Sequence, residues 1–182
     1  MVYVLLANGF EEIEALTPVD MLRRAGSTVN TVSIEDGLAV RGAHGIEVLA
    51  DVMPVDADEK IDLLLLPGGM PGTLNLDVSP VTDAMLRRAQ EDGGRIAAIC
   101  AAPLVLGRRG LLKGRCAVCY PGFEKELSGA TVLDEPFVTD GMFTTAKGMG
   151  AATLFGAELV RLLHGKEAAD TMLRGICSAE KL

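Results

Sequence analysis

The sequence contains no tryptophan, and aromatic residues make up only 4% of it. Hydrophobic residues nevertheless account for 49% of the chain, so we expect a core built from aliphatic side chains and methionine. A chain of 182 residues is long enough to form one domain with its own core. Neither a linker-like stretch nor a repeat divides it. The sequence therefore predicts a single domain spanning residues 1–182.

Positive charge is also scarce, since 17 Lys and Arg face 25 Asp and Glu, which gives a net charge of −8. Proteins that bind nucleic acids need clustered Lys and Arg to contact phosphates, so this balance argues against a nucleic-acid partner. No apolar run is long enough to span a bilayer, and the start, MVYVLLANGFEE, lacks the pattern of a signal peptide. We expect a soluble, cytoplasmic protein without a membrane partner.

Cysteine and histidine, the usual ligands of transition metals, are few: Cys100, Cys116, Cys119, Cys177, His44 and His164. Disulfides are rare in the cytoplasm, so the cysteines need not pair. Cys116 and Cys119 have the CxxC spacing of some metal and redox sites. We predict a strand at 116–119, however, and residues three apart in a strand point to opposite faces. The sequence predicts no bound metal and no cofactor.

Strand and helix patterns alternate along the chain. Short apolar runs predict strands at 2–6, 28–34, 61–66 and 95–99, and helical patterns cover 11–25, 81–91, 149–163 and 166–176, with a short helix at 122–127. The run IDLLLL is continuously aliphatic, which is typical of a strand buried on both faces of a parallel sheet. This alternation indicates an α/β sandwich around a mostly parallel central sheet.

Three predicted strands are followed by loops of unusual chemistry. NGFEEIE follows the first strand, PGGMPG follows IDLLLL, and Cys100 with Ala-Ala-Pro follows RIAAI. Because parallel strands end at the same edge of a sheet, where ligands bind in open α/β folds, the three loops can form one pocket.

Each loop has a use in thiol chemistry. A cysteine at a strand-to-helix turn lies beside free N–H groups and a helix dipole, which favour the thiolate. Gly68 and Gly69 can bring backbone N–H groups close to a developing oxyanion. Glu11, Glu12 and Glu14 lie in the first turn of a predicted helix, and a buried carboxyl group there could be protonated and hydrogen-bond the thiolate, or move a proton. Each feature alone also has an ordinary interpretation, as a core thiol, a turn, or acidic residues at a helix start. Their coincidence on one edge favours a functional site.

The motifs NGFEEIEALTPVDMLRRAG, LLLLPGGMPG, IAAICAAP and AKGMG, in this order and spacing, resemble the ThiJ/PfpI superfamily, most closely its DJ-one branch. The resemblance runs from Val2 to about Ala169. It implies a flavodoxin-like sandwich, of the class I glutamine amidotransferase type, and a homodimer. Asp20 and Arg24 match positions near the dimer interface of the family, although a helical salt pair explains them equally well.

The resemblance also assigns roles residue by residue. Cys100 matches the reactive, easily oxidised cysteine of the family, and Glu14 matches the carboxyl group that contacts it. Gly69 and Ala101 match the backbone donors of an oxyanion-hole-like pocket. Further pocket positions are Gly68, Gly148, Tyr120 and the turn Asn8-Gly9.

Three positions depart from the family pattern. Tyr120 stands where many members of the DJ-one branch have a histidine, and Met149 replaces a proline common in the equivalent turn. Ala101 stands where protease-like members carry a histidine directly after the nucleophile. Peptidase and glutamine amidotransferase activities both depend on an activating histidine, so the sequence disfavours both.

The first functional hypothesis is a cysteine enzyme that acts on reactive carbonyls, either a cofactor-independent glyoxalase or a deglycase of early methylglyoxal adducts. Its partner would be a small reactive carbonyl or a glycated substrate. The second is an oxidative-stress sensor or chaperone that uses Cys100 as an oxidisable thiol. A third, thiazole-phosphate biosynthesis, has little support because PGGMPG lacks the Lys-Ser/Thr ending of a phosphate-binding loop.

Overall fold

The computed structural model describes residues 1–179; residues 180–182 of the predicted domain lie outside the described part. The strands are β1 (Val2–Leu6), β2 (Val29–Ser33), β3 (Ala39–Arg41), β4 (Glu47–Leu49), β5 (Leu63–Leu66), β6 (Arg95–Ile99), β7 (Cys116–Ala117), β8 (Thr131–Val132), β9 (Phe137–Asp140) and β10 (Phe143–Ala146). The helices are α1 (Glu12–Arg24), α2 (Gly72–Val78), α3 (Pro80–Glu91), α4 (Pro103–Arg108), α5 (Ala152–His164) and α6 (Lys166–Gly175). Short 3-10 turns cover Pro54–Asp56, Glu124–Glu126 and Met149–Ala151.

A six-stranded sheet with the order β2-β1-β5-β6-β10-β9 forms the centre of the fold. Five neighbouring strands of this sheet run parallel: β2, β1, β5, β6 and β10. Strand β9 lies at one edge and pairs with β10 in the antiparallel direction. Counted along the chain without the two-stranded sheets β3-β4 and β7-β8, the parallel strands have the order 2-1-3-4-5, which is that of flavodoxin-like folds. The predicted α/β sandwich with a mostly parallel sheet is confirmed.

Both faces of the central strands are buried, which explains their continuous hydrophobic character. Val4 and Leu65 belong to the core on one face, together with residues of α1, α5 and α6. Tyr3 and Leu64 belong to the core on the other face, with residues of α2, α3 and α4. All four side chains are fully buried. The helices therefore form two outer layers, and the strand ends remain open at the edges of the sheet.

Some predicted elements differ from the structure. The predicted strand 116–119 is limited to β7, because the next N–H groups bond elsewhere: Val118 donates to Thr145 Oγ1 at 2.8 Å and Tyr120 donates to the Cys100 carbonyl at 2.8 Å. The predicted helix 122–127 is only a 3-10 turn. Helix α2 was not predicted, since its first residue, Gly72, looked like part of a turn. A Cβ at Gly72 would lie 2.5 Å from the Phe10 nitrogen, so this glycine permits close packing.

Helix α5 ends at a glycine. Gly165 ends α5 with a positive φ of 89°, as the left-handed region favours glycine. The ring of His164, in the last turn, lies 2.6 Å from Ser27 Oγ.

No helix within residues 1–179 combines the length and the apolar character that crossing a membrane requires.

Candidate functional site

The three loops singled out in the sequence meet at one edge of the sheet, because β1, β5 and β6 are neighbours in it. Backbone hydrogen bonds join the loops directly. The Glu11 N–H donates to the Gly68 carbonyl at 2.9 Å, and the Gly72 N–H donates to the Gly9 carbonyl at 3.1 Å. The loop after β1 is thereby fixed against the loop after β5, beside the end of β6. This edge includes the point where strand order reverses, which is where open α/β sheets bind ligands.

Cys100 stands directly after β6 in an unusual backbone conformation. Its φ is +65°, in the left-handed region that residues with a Cβ seldom adopt. Two hydrogen bonds hold it there: its N–H donates to the Ala146 carbonyl at 2.9 Å, and its carbonyl accepts from the Tyr120 N–H at 2.8 Å. The turn leaves the cysteine partly accessible, as in strand-to-helix turns that present a nucleophile.

Glu14 lies next to Cys100 although it belongs to a distant part of the chain. It occupies the first turn of α1, where the Glu11 carboxylate caps the helix by accepting from the Glu14 N–H at 2.7 Å. The Glu14 side chain is only 1% exposed. Its Oε2 accepts from the Gly68 N–H at 3.1 Å, and its carboxyl group hydrogen-bonds the Cys100 thiol.

Gly68 is the residue that permits this contact. A Cβ at Gly68 would lie 2.5 Å from Glu14 Oε2 and 2.6 Å from Cys100 Cβ. No side chain fits there without separating the carboxyl group from the thiol. The glycine is therefore required by the packing of the Cys100–Glu14 pair, beyond any role in the turn.

The electrostatics of the pair differ from the simple expectation of a low thiol pKa. Burial raises the pKa of Glu14 to about 7, against the lowering effect of hydrogen bonds from the Cys100 thiol and from the N–H groups of Gly68 and Met149. Burial and then the Glu14 charge raise the pKa of Cys100 to about 12, while the N–H groups of Ala101 and Gly69 lower it. Between these values the pair holds one proton and one negative charge, shared across a hydrogen bond.

The N–H groups that we expect to favour the thiolate do lower the Cys100 pKa, but the net shift of this pKa is upward. Helix α4 begins only at Pro103 and runs for six residues, so its dipole is small. The N–H groups of Gly69 and Ala101 act on the sulfur in the expected direction, but burial and the Glu14 carboxylate outweigh them. A nearby proton acceptor, Glu14, is what the geometry provides for activating the thiol.

The remaining predicted positions surround this pair. Gly69 has a φ of +91°, and a Cβ there would lie 2.3 Å from the Glu11 nitrogen. A Cβ at Gly148 would lie 3.3 Å from Tyr120 Cδ2 and 3.7 Å from Glu14 Oε1. The structure thus brings together seven of the predicted site residues: Glu14, Gly68, Gly69, Cys100, Ala101, Tyr120 and Gly148. The turn Asn8-Gly9 instead packs against the loop after β5, where a Cβ at Gly9 would lie 2.4 Å from Pro71 Cδ.

Comparison with known proteins shows the family of the chain. A sequence model of the DJ-1/PfpI family matches residues 1–162. The chain belongs to the DJ-1/PfpI family. The resemblance inferred from four motifs is confirmed over most of the chain.

Relatives and solved structures extend the family match. DJ-1 homolog B of Arabidopsis thaliana is 39% identical over 92% of this chain, which spans only 39% of that protein's length. A protein of Caenorhabditis elegans named glutathione-independent glyoxalase DJR-1.2 is 33% identical over 93% of this chain and 91% of its own length. The structure of oxidized DJ-1 from Toxoplasma gondii has a TM-score of 0.94 at 36% identity and covers 98% of both chains.

In this member of the DJ-1/PfpI family, some contacts near the Cys100–Glu14 pair were not predicted from the sequence. The Ala146 carbonyl holds Cys100, and the Met149 N–H acts on Glu14. The segment 134–136 lines a cavity beside Tyr120. Two of these contacts are made by backbone atoms and one depends on the path of a long loop, so residue types alone carry no signal for them. Met149 was noticed only as a departure from the family proline.

Other candidate groups lie outside the pair. The two exposed side chains of Asp20 and Arg24 form the helical salt pair expected from their spacing, at 2.6 Å. Within residues 1–179, the group with metal-like spacing is Glu11, Glu12 and His44 rather than the CxxC cysteines. Its buried member already has a structural role, since Glu12 Oε1 accepts from the His44 N–H at 2.9 Å and Oε2 lies 2.8 Å from His44 Nδ1. Glu12 thereby anchors the loop between β3 and β4.

Proposed function

We propose that this chain is a cysteine-dependent enzyme of the cofactor-independent glyoxalase type, which converts 2-oxoaldehydes to 2-hydroxy acids or removes early methylglyoxal adducts from glycated substrates. The observation that carries the proposal is the hydrogen-bonded pair of Cys100 and Glu14, with the N–H groups of Gly69 and Ala101 acting at the sulfur. The name of the C. elegans relative supports the same activity.

In the proposed reaction the Cys100 sulfur forms a bond with the aldehyde carbon, and the thiol proton passes to the Glu14 carboxylate. The aldehyde oxygen gains negative charge, which the N–H groups of Gly69 and Ala101 stabilise until it takes a proton. This gives a hemithioacetal. Glu14 is buried against the sulfur, so it is the group placed to relay protons in the later steps.

The remaining steps balance within the substrate. The proton on the former aldehyde carbon leaves, the electron pair of that bond forms an enediol, and a proton returns at the neighbouring carbon. The first carbon is thereby oxidised and the second reduced, so the step consumes no external oxidant or reductant. Water then hydrolyses the resulting thioester, which releases the hydroxy acid and regenerates the Cys100 thiol.

The test is the conversion of methylglyoxal to lactate by Cys100→Ser and by a matched variant, Cys116→Ser, at another partly buried thiol. We expect Cys100→Ser to lose turnover while circular dichroism shows an intact fold, and Cys116→Ser to keep it. Equal rates for Cys100→Ser and the wild-type protein would refute the proposal.

A second candidate function is redox sensing through Cys100. The Toxoplasma gondii relative was solved in an oxidized form, and the N–H groups beside the Cys100 sulfur, with a protonated Glu14, would stabilise a sulfinate. Mild peroxide followed by mass spectrometry separates the two functions. Oxidation confined to Cys100, without turnover of carbonyls, would favour the sensor, and oxidation of all four cysteines would count against it.

We also propose that the chain forms a homodimer through α1 and its surroundings. Ile13 on α1 is 47% exposed, and Ile46 and Leu49 near the β3–β4 hairpin are 56% and 72% exposed. Large exposed apolar side chains favour association between protein surfaces. Light scattering with Ile13→Lys tests the interface: a monomer is expected, and an unchanged dimer would place the interface elsewhere.

A further inference from the structure

A groove of about 780 Å³ opens beside the Cys100–Glu14 pair. The turn at Tyr120 and Pro121, the segment 134–136 and the loop 147–151 form its walls. The groove adjoins the pair at Gly148, which lines it and where a Cβ would lie 3.3 Å from Tyr120 Cδ2 and 3.7 Å from Glu14 Oε1. This is the space beside the pair that the remaining part of a substrate bound to Cys100 would occupy.

The groove is much larger than the smallest 2-oxoaldehydes need. Cavities of roughly 300–1,000 Å³ hold drug-sized ligands, whereas methylglyoxal is a three-carbon molecule. If Cys100 binds the aldehyde carbon, a methyl group leaves most of the groove unfilled. The volume points to a substrate whose remaining part is larger.

The groove walls match an aromatic or branched apolar group. Tyr120 is 50% exposed and Met149 is 56% exposed, so each of these large side chains leaves apolar surface available to a ligand. An aromatic ring and a thioether sulfur each make favourable contacts with another ring. Pro121 and Pro136 add rigid apolar surface. Lys147, the cation in the lining, is already paired with Asp134, so it is a poor anchor for an anionic substrate.

We propose that this groove selects 2-oxoaldehydes with an aryl or branched apolar group, and that Tyr120 and Met149 are its specificity-determining residues. The inference rests on the proposed function, because it describes the part of the substrate that Cys100 does not attack. Contacts of this size change kcat/KM by about 10- to 200-fold.

The experiment compares phenylglyoxal with methylglyoxal as the ratio of their kcat/KM values, so that a general loss of catalysis cancels. We expect Tyr120→Ala and Met149→Ala each to lower this ratio by about tenfold. Tyr120→Phe keeps the ring and should keep the ratio. Val55→Ala, at an apolar side chain that is 85% exposed and outside the groove, is the matched control and should not change it.

The possible failures are distinguishable. If both aldehydes lose the same factor in Tyr120→Ala and Met149→Ala, the groove does not select the substrate, while the proposed enzyme stands. If the wild-type protein turns over neither aldehyde, the proposed function fails and this inference fails with it. Should Tyr120→Ala not fold, Tyr120→His replaces the phenol ring by a smaller and more polar imidazole, and an unchanged ratio in that variant would overturn the inference.

Discussion

Cys100 and Cys119 are two thiols that pack against the cores on opposite faces of the sheet. Burial raises the pKa of Cys100 to about 12 and that of Cys119 to about 11. Their surroundings differ. Cys119 is 4% exposed and belongs to the core beside α3 and α4, where the Glu124 charge raises its pKa further. Cys100 is partly accessible, has a carboxyl group hydrogen-bonded to it, and has two backbone N–H groups that favour its thiolate. The capacity for chemistry thus lies in the groups around the sulfur.

This contrast also separates the two cysteine motifs. The CxxC spacing of Cys116 and Cys119 corresponds to a known class of site, yet neither cysteine belongs to the group with metal-like spacing within residues 1–179. The ICAAP stretch has no such spacing, but its cysteine follows a strand that ends beside two other loops. Position in the fold distinguishes these thiols better than spacing in the sequence.

The largest loss of activity is expected when Cys100 is separated from Glu14. In Gly68→Ala the new methyl group would meet Glu14 Oε2 and Cys100 Cβ at about 2.5 Å, so the pair must move apart. General acid–base catalysis contributes 10²–10⁴-fold, and we expect kcat/KM for methylglyoxal to fall about 10³-fold, or about 4 kcal/mol. Gly175→Ala, where a Cβ meets nothing within 4 Å, is the control. A folded Gly68→Ala protein with wild-type turnover would contradict this account.

Removing the Glu14 charge should change stability with a defined pH dependence. Its pKa is raised from 4.5 to about 7 by burial, so the folded state holds this proton more tightly than the unfolded chain. The stabilisation is complete below pH 4.5 and is lost as pH rises through about 7. Glu14→Gln carries no such charge and should gain about 3 kcal/mol relative to wild type between pH 4 and pH 8.

Urea unfolding at both pH values measures that gain. Glu91→Gln, at an exposed carboxyl group at the end of α3, controls for the general effect of removing a negative charge. A Glu14→Gln protein whose stability follows the wild-type pH profile would show that Glu14 is not held protonated by the fold.

How much of this contrast the sequence predicts depends on the range of the interactions. Aliphatic runs predict β1, β5 and β6, and the rule for parallel strands then places three loops on one edge. The Cys100–Glu14 contact follows from those loops and the family motifs. Helix α2 was missed because Gly72 looks like a turn residue, although its role is packing against Phe10. The Met149 N–H donor and the segment 134–136 depend on the path of long loops, which no local pattern specifies.

The two thiols should also differ in their rates of alkylation. Iodoacetamide reacts with the thiolate and needs access. Cys119 has the lower pKa of the two thiols but is only 4% exposed, whereas Cys100 is partly accessible and has Glu14 beside it as a proton acceptor. At pH 8 we expect Cys100 to react at least about tenfold faster, which corresponds to about 1.4 kcal/mol. Peptide mass spectrometry over time gives both rates in one sample. Equal rates would mean that the strand-to-helix turn at Cys100 and the groups around its sulfur do not distinguish Cys100 from a core thiol.

The smallest expected effect isolates a single backbone donor of the reactive pair. The Met149 N–H acts on the Glu14 carboxylate and lowers its pKa, and a proline at this position has no N–H to donate. Met149→Pro suits the backbone because Met149 is the first residue of a 3-10 turn and Gly148 before it is extended.

Losing a donor to the charged form raises a pKa, so the pH midpoint of methylglyoxal turnover should rise in Met149→Pro by about half a unit, or about 0.7 kcal/mol. Met149→Ala removes the same side chain but keeps the N–H, and its midpoint should stay near that of the wild-type protein. If the two variants share one midpoint, the donor does not act on Glu14. A lower midpoint in Met149→Pro would reverse the sign of the effect, and Glu14 would then not be the group whose ionisation controls the thiol.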